Sequence, residues 1–315
     1  RKALQSVNFS SRAKASRNVE EIKATLSEWF SSLNTELPAI FEQSAIALAV
    51  YEAGYTVALM GETLKTDGEK LYQKAKKVPF SGGQLVDYLF SDIAANLRKK
   101  VEYVIRDGFS QGQTNQQIIN RIKGRKSLDY KDGLLQSERY VIERQVRTAR
   151  SHVSNTSYLQ TYEALGFTHI KFVSVLDGRS SFTCANLDQT MWKIDDPKIR
   201  RPPLHPNCRS TLIGVDADGN LGGVRPFVAD ERKIKNIPKD ERDGIIGQVE
   251  ANTKFSDWFK DQDDDFQRNW LGSTRFELYK KSDFPIDKFV DPIGRKYTLD
   301  ELREIDKKTF ENLGL

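Results

Sequence analysis

Cysteine and histidine are scarce, with two of the first and three of the second in 315 residues. Two cysteines do not build the framework of a small secreted disulfide domain, so a reducing cytoplasm during synthesis is the expected setting. Long apolar runs are missing as well. No uninterrupted stretch approaches the roughly 18–20 residues a bilayer span needs, and no membrane span is expected. The most apolar segment, AIALAVYEAGYTVALM at 45–60, contains Glu52 and Gly54. It has neither the basic start nor the small-residue cleavage site of a signal peptide and reads as a buried helix pair. The phosphate-cradling G-x-x-x-x-G-K-[ST], a G-x-G-x-x-G after a strand, H-E-x-x-H and G-x-S-x-G are all absent, which removes the common signatures of nucleotide, dinucleotide, zinc-protease and serine-hydrolase chemistry. The carboxylate-rich DQDDDF at 261–266 lacks the glycine and closing glutamate of an EF-hand loop.

Charged residues make up 30% of the chain and hydrophobic ones 38%, and the length allows two or three compact units. The net charge of +5 is unevenly spread: residues 1–216 carry 31 Lys/Arg against 23 Asp/Glu, and residues 217–315 carry 18 against 21. The chain starts at Arg1 rather than methionine, as expected of a numbering that begins inside a longer gene product. The densest basic stretch is RIKGRKSLDYK at 121–131. It makes Arg121, Lys123, Arg125 and Lys126 candidate contacts to nucleic-acid phosphates, sequence-independent in kind; the plainer reading is a solvated basic loop.

Apolar spacing predicts the elements. Val19, Ile22, Leu26, Trp29, Phe30 and Leu33 share one helical face, and Pro38 is expected to end or kink that helix and begin a second. Residues 66–83 read as a polar linker. A helix follows over about 84–107, with Gly108 as its C-terminal cap and Thr114 capping the next short helix. From Leu134 to Leu165 no Pro or Gly interrupts a long helix, and Gly166 stops it. The period then becomes that of strands: HIKFVSVLD (169–177), MWKI (191–194) and STLIGVD (210–216). Near the end, Phe255, Trp258, Phe259, Phe266 and Trp270 fall on one helix closed by Gly272, and Thr298 with Glu301 forms a capping box for a last helix over about 299–311. The expected fold is α+β, mostly α: a helical N-terminal region at 1–133, a core module at 134–216 whose long helix packs on a small antiparallel sheet, and an acidic, mainly helical segment at 217–315.

Chemistry concentrates in one span. RRPPLHPNCRS at 200–210 holds His205 and Cys208 on a proline-stiffened loop, and Cys184 lies upstream after VLDGRSSFTC. Several readings stand side by side. Thiolate and imidazole are usual zinc ligands, so Cys184, His205 and Cys208 form a candidate structural zinc site. A closed site needs a fourth ligand, from among Asp177, Asp188, His169 and His152. A Cys184–Cys208 disulfide closing a loop of about 25 residues would add roughly 3–4 kcal/mol. A Cys/His-dependent enzyme would need His205 to activate a thiol. The simplest alternative is a packed loop in which Pro202, Pro203 and Pro206 set rigid turns. In every case the two cysteine-bearing ends are expected to meet at one edge of a sheet formed by the flanking strands, with Arg179 and Arg209 pairing to Asp177 or Asp188.

The order ERQVRTARSHVSNTSYLQTYEALGF, LDGRSSFTCANLDQTMW and PPLHPNCRST, over about 134–216, resembles the phage head morphogenesis family typified by the Mu minor head protein F. The motif positions are Asp177, Arg179, Cys184, His205, Pro206, Cys208 and Arg209. Two positions depart from the family pattern: Gln189 stands where glycine is common, and Ser210 where a second cysteine often follows. The resemblance implies a non-enzymatic minor capsid protein of a tailed phage, made in the host cytoplasm and carried in the capsid interior or at the portal vertex. Its implied partner is the portal protein, with scaffold or major capsid protein and packaged double-stranded DNA as further partners. Its implied role is head assembly, DNA packaging or DNA ejection, with residues 1–133 as the portal docking arm. The alternatives are a sequence-independent DNA-binding virion protein delivered with the genome, and the Cys/His enzyme above.

Overall fold

The computed structural model describes residues 12–80, 82–282 and 284–315. The first eleven residues of the expected docking arm therefore lie outside the described residues, as do the side chains of Val19 and Ile22. The chain forms two compact units. One contains the residues up to Ser157 together with His205–Asn207, and the other Tyr158–Leu204 with Cys208–Leu315.

The first unit is helical. Helix α1, Arg12–Leu59, runs straight through Pro38 instead of ending there. A proline inside a helix costs about 3 kcal/mol, but Phe30 before it and Phe41, Ala45 and Ala49 after it are all buried. Aromatic and small-residue burial on both sides offsets one lost hydrogen bond. The segment 45–60 is consequently one helix rather than a pair, with Gly54 inside it. The expected linker also contains a helix, α2 at Gly68–Lys77, started by the Asp67 carboxylate, which accepts from the Lys70 N–H at 3.2 Å. Its burial rests on Gly68, Tyr72 and Ala75, too few apolar residues to stand out from a polar stretch. A Cβ on Gly68 would come within 2.3 Å of Val50, so close packing against α1 demands the glycine.

Helix α3, Val86–Ser110, continues past Gly108. That glycine is buried under Ile118, whose side chain would lie 2.5 Å from an added Cβ; it serves close packing rather than capping. Helix α4, Asn115–Lys123, begins where expected, with Thr114 and Gln117 capping each other's backbone amides. Helix α5, Leu134–Ala164, stays unbroken until Gly166 at φ +82°, and in the first unit Ala149 and Val153 pack with Phe41, Tyr72 and Phe90.

The second unit holds the last turns of α5, two three-stranded sheets and the remaining helices. Strand β1 (His169–Val173) lies between β3 (Met191–Lys193) and β4 (Thr211–Val215), antiparallel to both. The register sets Val173 opposite Thr211 and His169 opposite Val215. Leu159 packs on this sheet's core, and Tyr162 covers Gly214, so the long helix does pack on a small antiparallel sheet. A second sheet went unread in the sequence: β2 (Leu176–Asp177) is parallel to β5 (Val224–Val228), which is antiparallel to β6 (Ile246–Glu250). The short helix α6, Phe182–Leu187, lies between β2 and β3.

The C-terminal aromatics do form core: Phe255, Trp258, Phe259 and Phe266 are buried together with Leu176, Phe289 and Phe310. They occupy two helices rather than one, α7 (Phe255–Lys260) and α8 (Asp264–Leu271). The break comes at Asp263, whose carboxylate accepts from the Phe266 N–H at 2.8 Å and starts a new helix. Helix α9 follows at Ser273–Lys281. The Thr298–Glu301 capping box starts α10 (Leu299–Ile305), and Asp306 then caps α11 (Lys307–Leu313), dividing what was expected to be one last helix. No helix among the described residues is long and apolar enough to cross a membrane.

Candidate functional site

The site begins with β1 and β4, whose pairing brings the chain after Val173 and the chain before Thr211 to the same end of the sheet. Just beyond β1, Asp177 closes β2 with its carboxylate almost wholly enclosed, at 1% side-chain exposure. Arg209 donates to both of its oxygens, at 2.6 and 2.7 Å, and Arg179 adds a side-chain bond at 2.8 Å and a backbone one at 3.0 Å. Burial alone would raise the Asp177 pKa; the Arg209 and Arg179 guanidinium groups outweigh it and hold the carboxyl below the usual range. The two ends of the motif are thereby tied by one buried carboxylate, the pairing expected for Arg179 and Arg209.

Asp188 is held differently. Its carboxylate accepts from the Ser174 and Phe255 N–H groups at 2.7 and 2.8 Å and from Arg225 at 2.9 and 3.2 Å. Arg225 also donates to the carbonyls of Thr253 and Ser174. Sequence reasoning missed Arg225, which sits in a strand remote from the motif; the one available signal is an arginine within the five-residue run VRPFV.

The Ser181 hydroxyl caps α6 by accepting from the Cys184 N–H at 3.2 Å, which sets Cys184 on the first turn among Ile170, Phe172, Cys208 and Leu212. Both cysteines are buried and not joined by a disulfide, with their sulfurs 3.7 Å apart. The hydrogen bond from Cys208 and burial push the Cys184 thiol upward from its usual range. A nucleophilic cysteine has the opposite shift.

His205 belongs to the first unit, whereas Cys184 and Cys208 belong to the second. Three residues of chain set the distance from His205 to Cys208. That stretch is shaped by Asn207 at φ +59° and by the Asn207 N–H, which donates to the Thr148 hydroxyl at 3.3 Å. Pro206 presents its carbonyl 3.0 Å from His205 Nδ1. A carbonyl only accepts, so Nδ1 is the donor.

The four residues considered as a further ligand have partners of their own. Asp177 and Asp188 are engaged by arginines, His152 hydrogen-bonds the Ala75 carbonyl at 3.0 Å, and His169 meets the Thr168 hydroxyl at 2.9 Å. Of the candidate phosphate contacts, Arg121 pairs with Asp107 at 2.7 Å and Arg125 with Asp132 at 2.7 Å, while Lys123 lies over the Tyr130 ring at 4.3 Å. Lys126 is exposed at the start of a short 3-10 turn.

Residues 99–213 match the family model of phage Mu protein F like proteins. The Mu F-like span starts within α3, ends within β4 and covers just over a third of the chain. It contains the Asp177–Arg209 tie and the Cys184–Cys208 pair, whereas Arg225, which locks Asp188, lies outside it. No curated protein and no solved structure matches the chain.

Proposed function

We propose that this is a head morphogenesis protein of a tailed phage: a minor capsid component that acts at the portal vertex during head assembly and DNA packaging or delivery. The observation that carries the reading is the Mu F-like match over residues 99–213, which takes in the Asp177–Arg209 tie and the Cys184–Cys208 pair. Two features of the fold support it. The motif side chains lock a scaffold: Asp177 is consumed by two arginines, and the Cys184 thiol is pushed up rather than activated. The first unit also carries a surface suited to protein contact. Along α1, Ile40, Val50, Tyr51, Tyr55 and Leu59 are exposed. Between Leu37 and Gly61 the only charged residues are Glu42 and Glu52, both half-buried. Exposed apolar side chains gathered along one helix mark interaction sites, and the portal is the partner in this reading.

The test is co-expression of the full chain with the portal and major capsid proteins of its phage. Full-length protein should co-purify with portal oligomers and appear in mature heads. A variant with Tyr51→Ser and Tyr55→Ser, both on the exposed face, should fold normally and lose portal binding. Full-length protein that stays apart from portal oligomers and from mature heads refutes the assignment. An undiminished portal complex in the double variant removes this face of α1 from the contact.

A further inference from the structure

Gln189 stands at φ +63°, in the left-handed region that residues with a side chain seldom occupy. It is held there from β1: its N–H donates to the Phe172 carbonyl at 2.8 Å, and the Phe172 N–H donates to the Thr190 carbonyl at 2.9 Å. The residue is enclosed, at 9% exposure. Its side-chain nitrogen donates to the Ala251 carbonyl at 3.3 Å. A carbonyl only accepts, so the nitrogen belongs on that side and Oε1 on the other. Oε1 is buried and has no hydrogen-bond partner among the described residues. A glycine would take this backbone without strain and bury no orphan acceptor, so the fold alone does not account for a glutamine here.

The same residue lines a cavity of about 310 Å³ in the second unit, a volume that suits a small organic molecule. Lys254, just before α7, Lys260, the last residue of α7, and Tyr279 of α9 line it as well. Among the described residues no ion pair engages either lysine, and both are exposed. Of the two carboxylates on the wall, Asp188 is neutralised by Arg225, which leaves Asp287 against two lysines and a positive excess. Burial pushes the Tyr279 phenol upward from its usual range, so it stays protonated. We propose that this cavity binds a nucleoside monophosphate, with the phosphate on Lys254 and Lys260, the base against Tyr279 and a base N–H donating to Gln189 Oε1. Ammonium groups hold a phosphate as point charges, an aromatic ring accepts the face of any base, and every base carries an N–H that an amide oxygen can accept. The bound base satisfies the buried acceptor, which gives the strained glutamine its use. A free nucleotide and the terminal nucleotide of a DNA strand offer this same chemistry. The inference rests on the second unit alone and holds whether or not the chain acts at a portal.

The experiment is isothermal titration of the full-length protein with deoxyadenosine and deoxycytidine monophosphates, with inorganic phosphate, and with a short oligodeoxynucleotide bearing a terminal phosphate. A mononucleotide should bind at least about tenfold more tightly than inorganic phosphate, because the base adds stacking and a hydrogen bond. An oligonucleotide that displaces it makes a strand end the natural ligand, and one that does not makes it a free nucleotide; either supports the site. Gln189→Gly relieves the backbone, so the unliganded variant should melt no lower than wild type, yet it should bind the mononucleotide at least about tenfold more weakly. Gln189→Met, close in size, should weaken binding alike should the glycine variant fold poorly. Lys254→Gln with Lys260→Gln alters exposed side chains and should weaken mononucleotide and phosphate together. Absence of binding by both mononucleotides at millimolar concentration overturns the site. So does equal affinity for phosphate and mononucleotide, or affinity unchanged in both Gln189 variants.

Discussion

Replacing Asp188 by alanine is the most demanding test of how the second unit is held together. The Asp188 side chain is fully enclosed and Arg225 is 8% exposed. The carboxylate satisfies four donors at once: two backbone amides, from Ser174 and Phe255, and two guanidinium nitrogens of Arg225. Its removal leaves Arg225 with only the carbonyls of Thr253 and Ser174, neither able to neutralise it. Breaking a buried ion pair from one side costs about 3–5 kcal/mol, and each amide left without an acceptor costs about 1–3 kcal/mol more unless water enters. For a unit of this size 1 kcal/mol shifts the melting temperature by about 2–4 °C, so Asp188→Ala should lower the melting temperature of this unit by roughly 10 °C or more. Arg225→Met alone should cost less, because the carboxylate keeps two amide donors. The double variant Asp188→Ala/Arg225→Met should fall well short of the sum, since no unpaired charge remains. Urea unfolding followed by the fluorescence of Trp258 and Trp270, with calorimetry alongside, measures all three. A loss below about 1 kcal/mol for Asp188→Ala, or strictly additive effects in the cycle, would refute the claim that this pair anchors the unit.

Asp177→Asn probes the motif's other tie through its pH dependence. The folded-state pKa is depressed, so the stability it contributes is present above the unfolded carboxyl value near 3.9 and is lost as pH falls through the lower folded value. The melting-temperature gap between wild type and Asp177→Asn should be constant from about pH 7 to 5 and close below about pH 4; a gap independent of pH down to 3 sinks the assignment. Gly214→Ala should destabilise the first sheet by about 1–3 kcal/mol, because its Cβ would lie 2.5 Å from the Tyr162 ring and 2.9 Å from Phe167. Gly222→Ala, with nothing within 4 Å of the new atom, should leave thermal melting unchanged, and equal effects at the two positions would contradict the packing described.

What the sequence reveals of this fold follows the range of the forces involved. Helix α5 and strands β1, β3 and β4 are legible because the apolar residues of each recur in the sequence at its own period, and Thr114 and Thr298 are legible because a cap and its partner lie three residues apart. Pro38 misleads for the converse reason: its cost is local and visible, while the burial of Phe41 against Phe90, rings 4.7 Å apart, depends on a helix far along the chain. The second sheet is hidden because β2 is two residues long and its partner β5 arrives in parallel after a long excursion. The motif divides along the same line. Asp177 and Arg209 flank paired strands, so strand register alone brings them together, and the meeting of Cys184 with Cys208 follows from the same pairing. Asp188 depends on an arginine supplied by the second sheet, which no spacing within the motif announces. The family match ends at residue 213, yet the Asp188 carboxylate within it is satisfied by Arg225 and by the Phe255 amide. The motif is thus completed by residues beyond the matched span. A fragment cut at the end of the match would leave Asp188 without two of its partners, which makes 217–315 part of the module's stability rather than an appended tail.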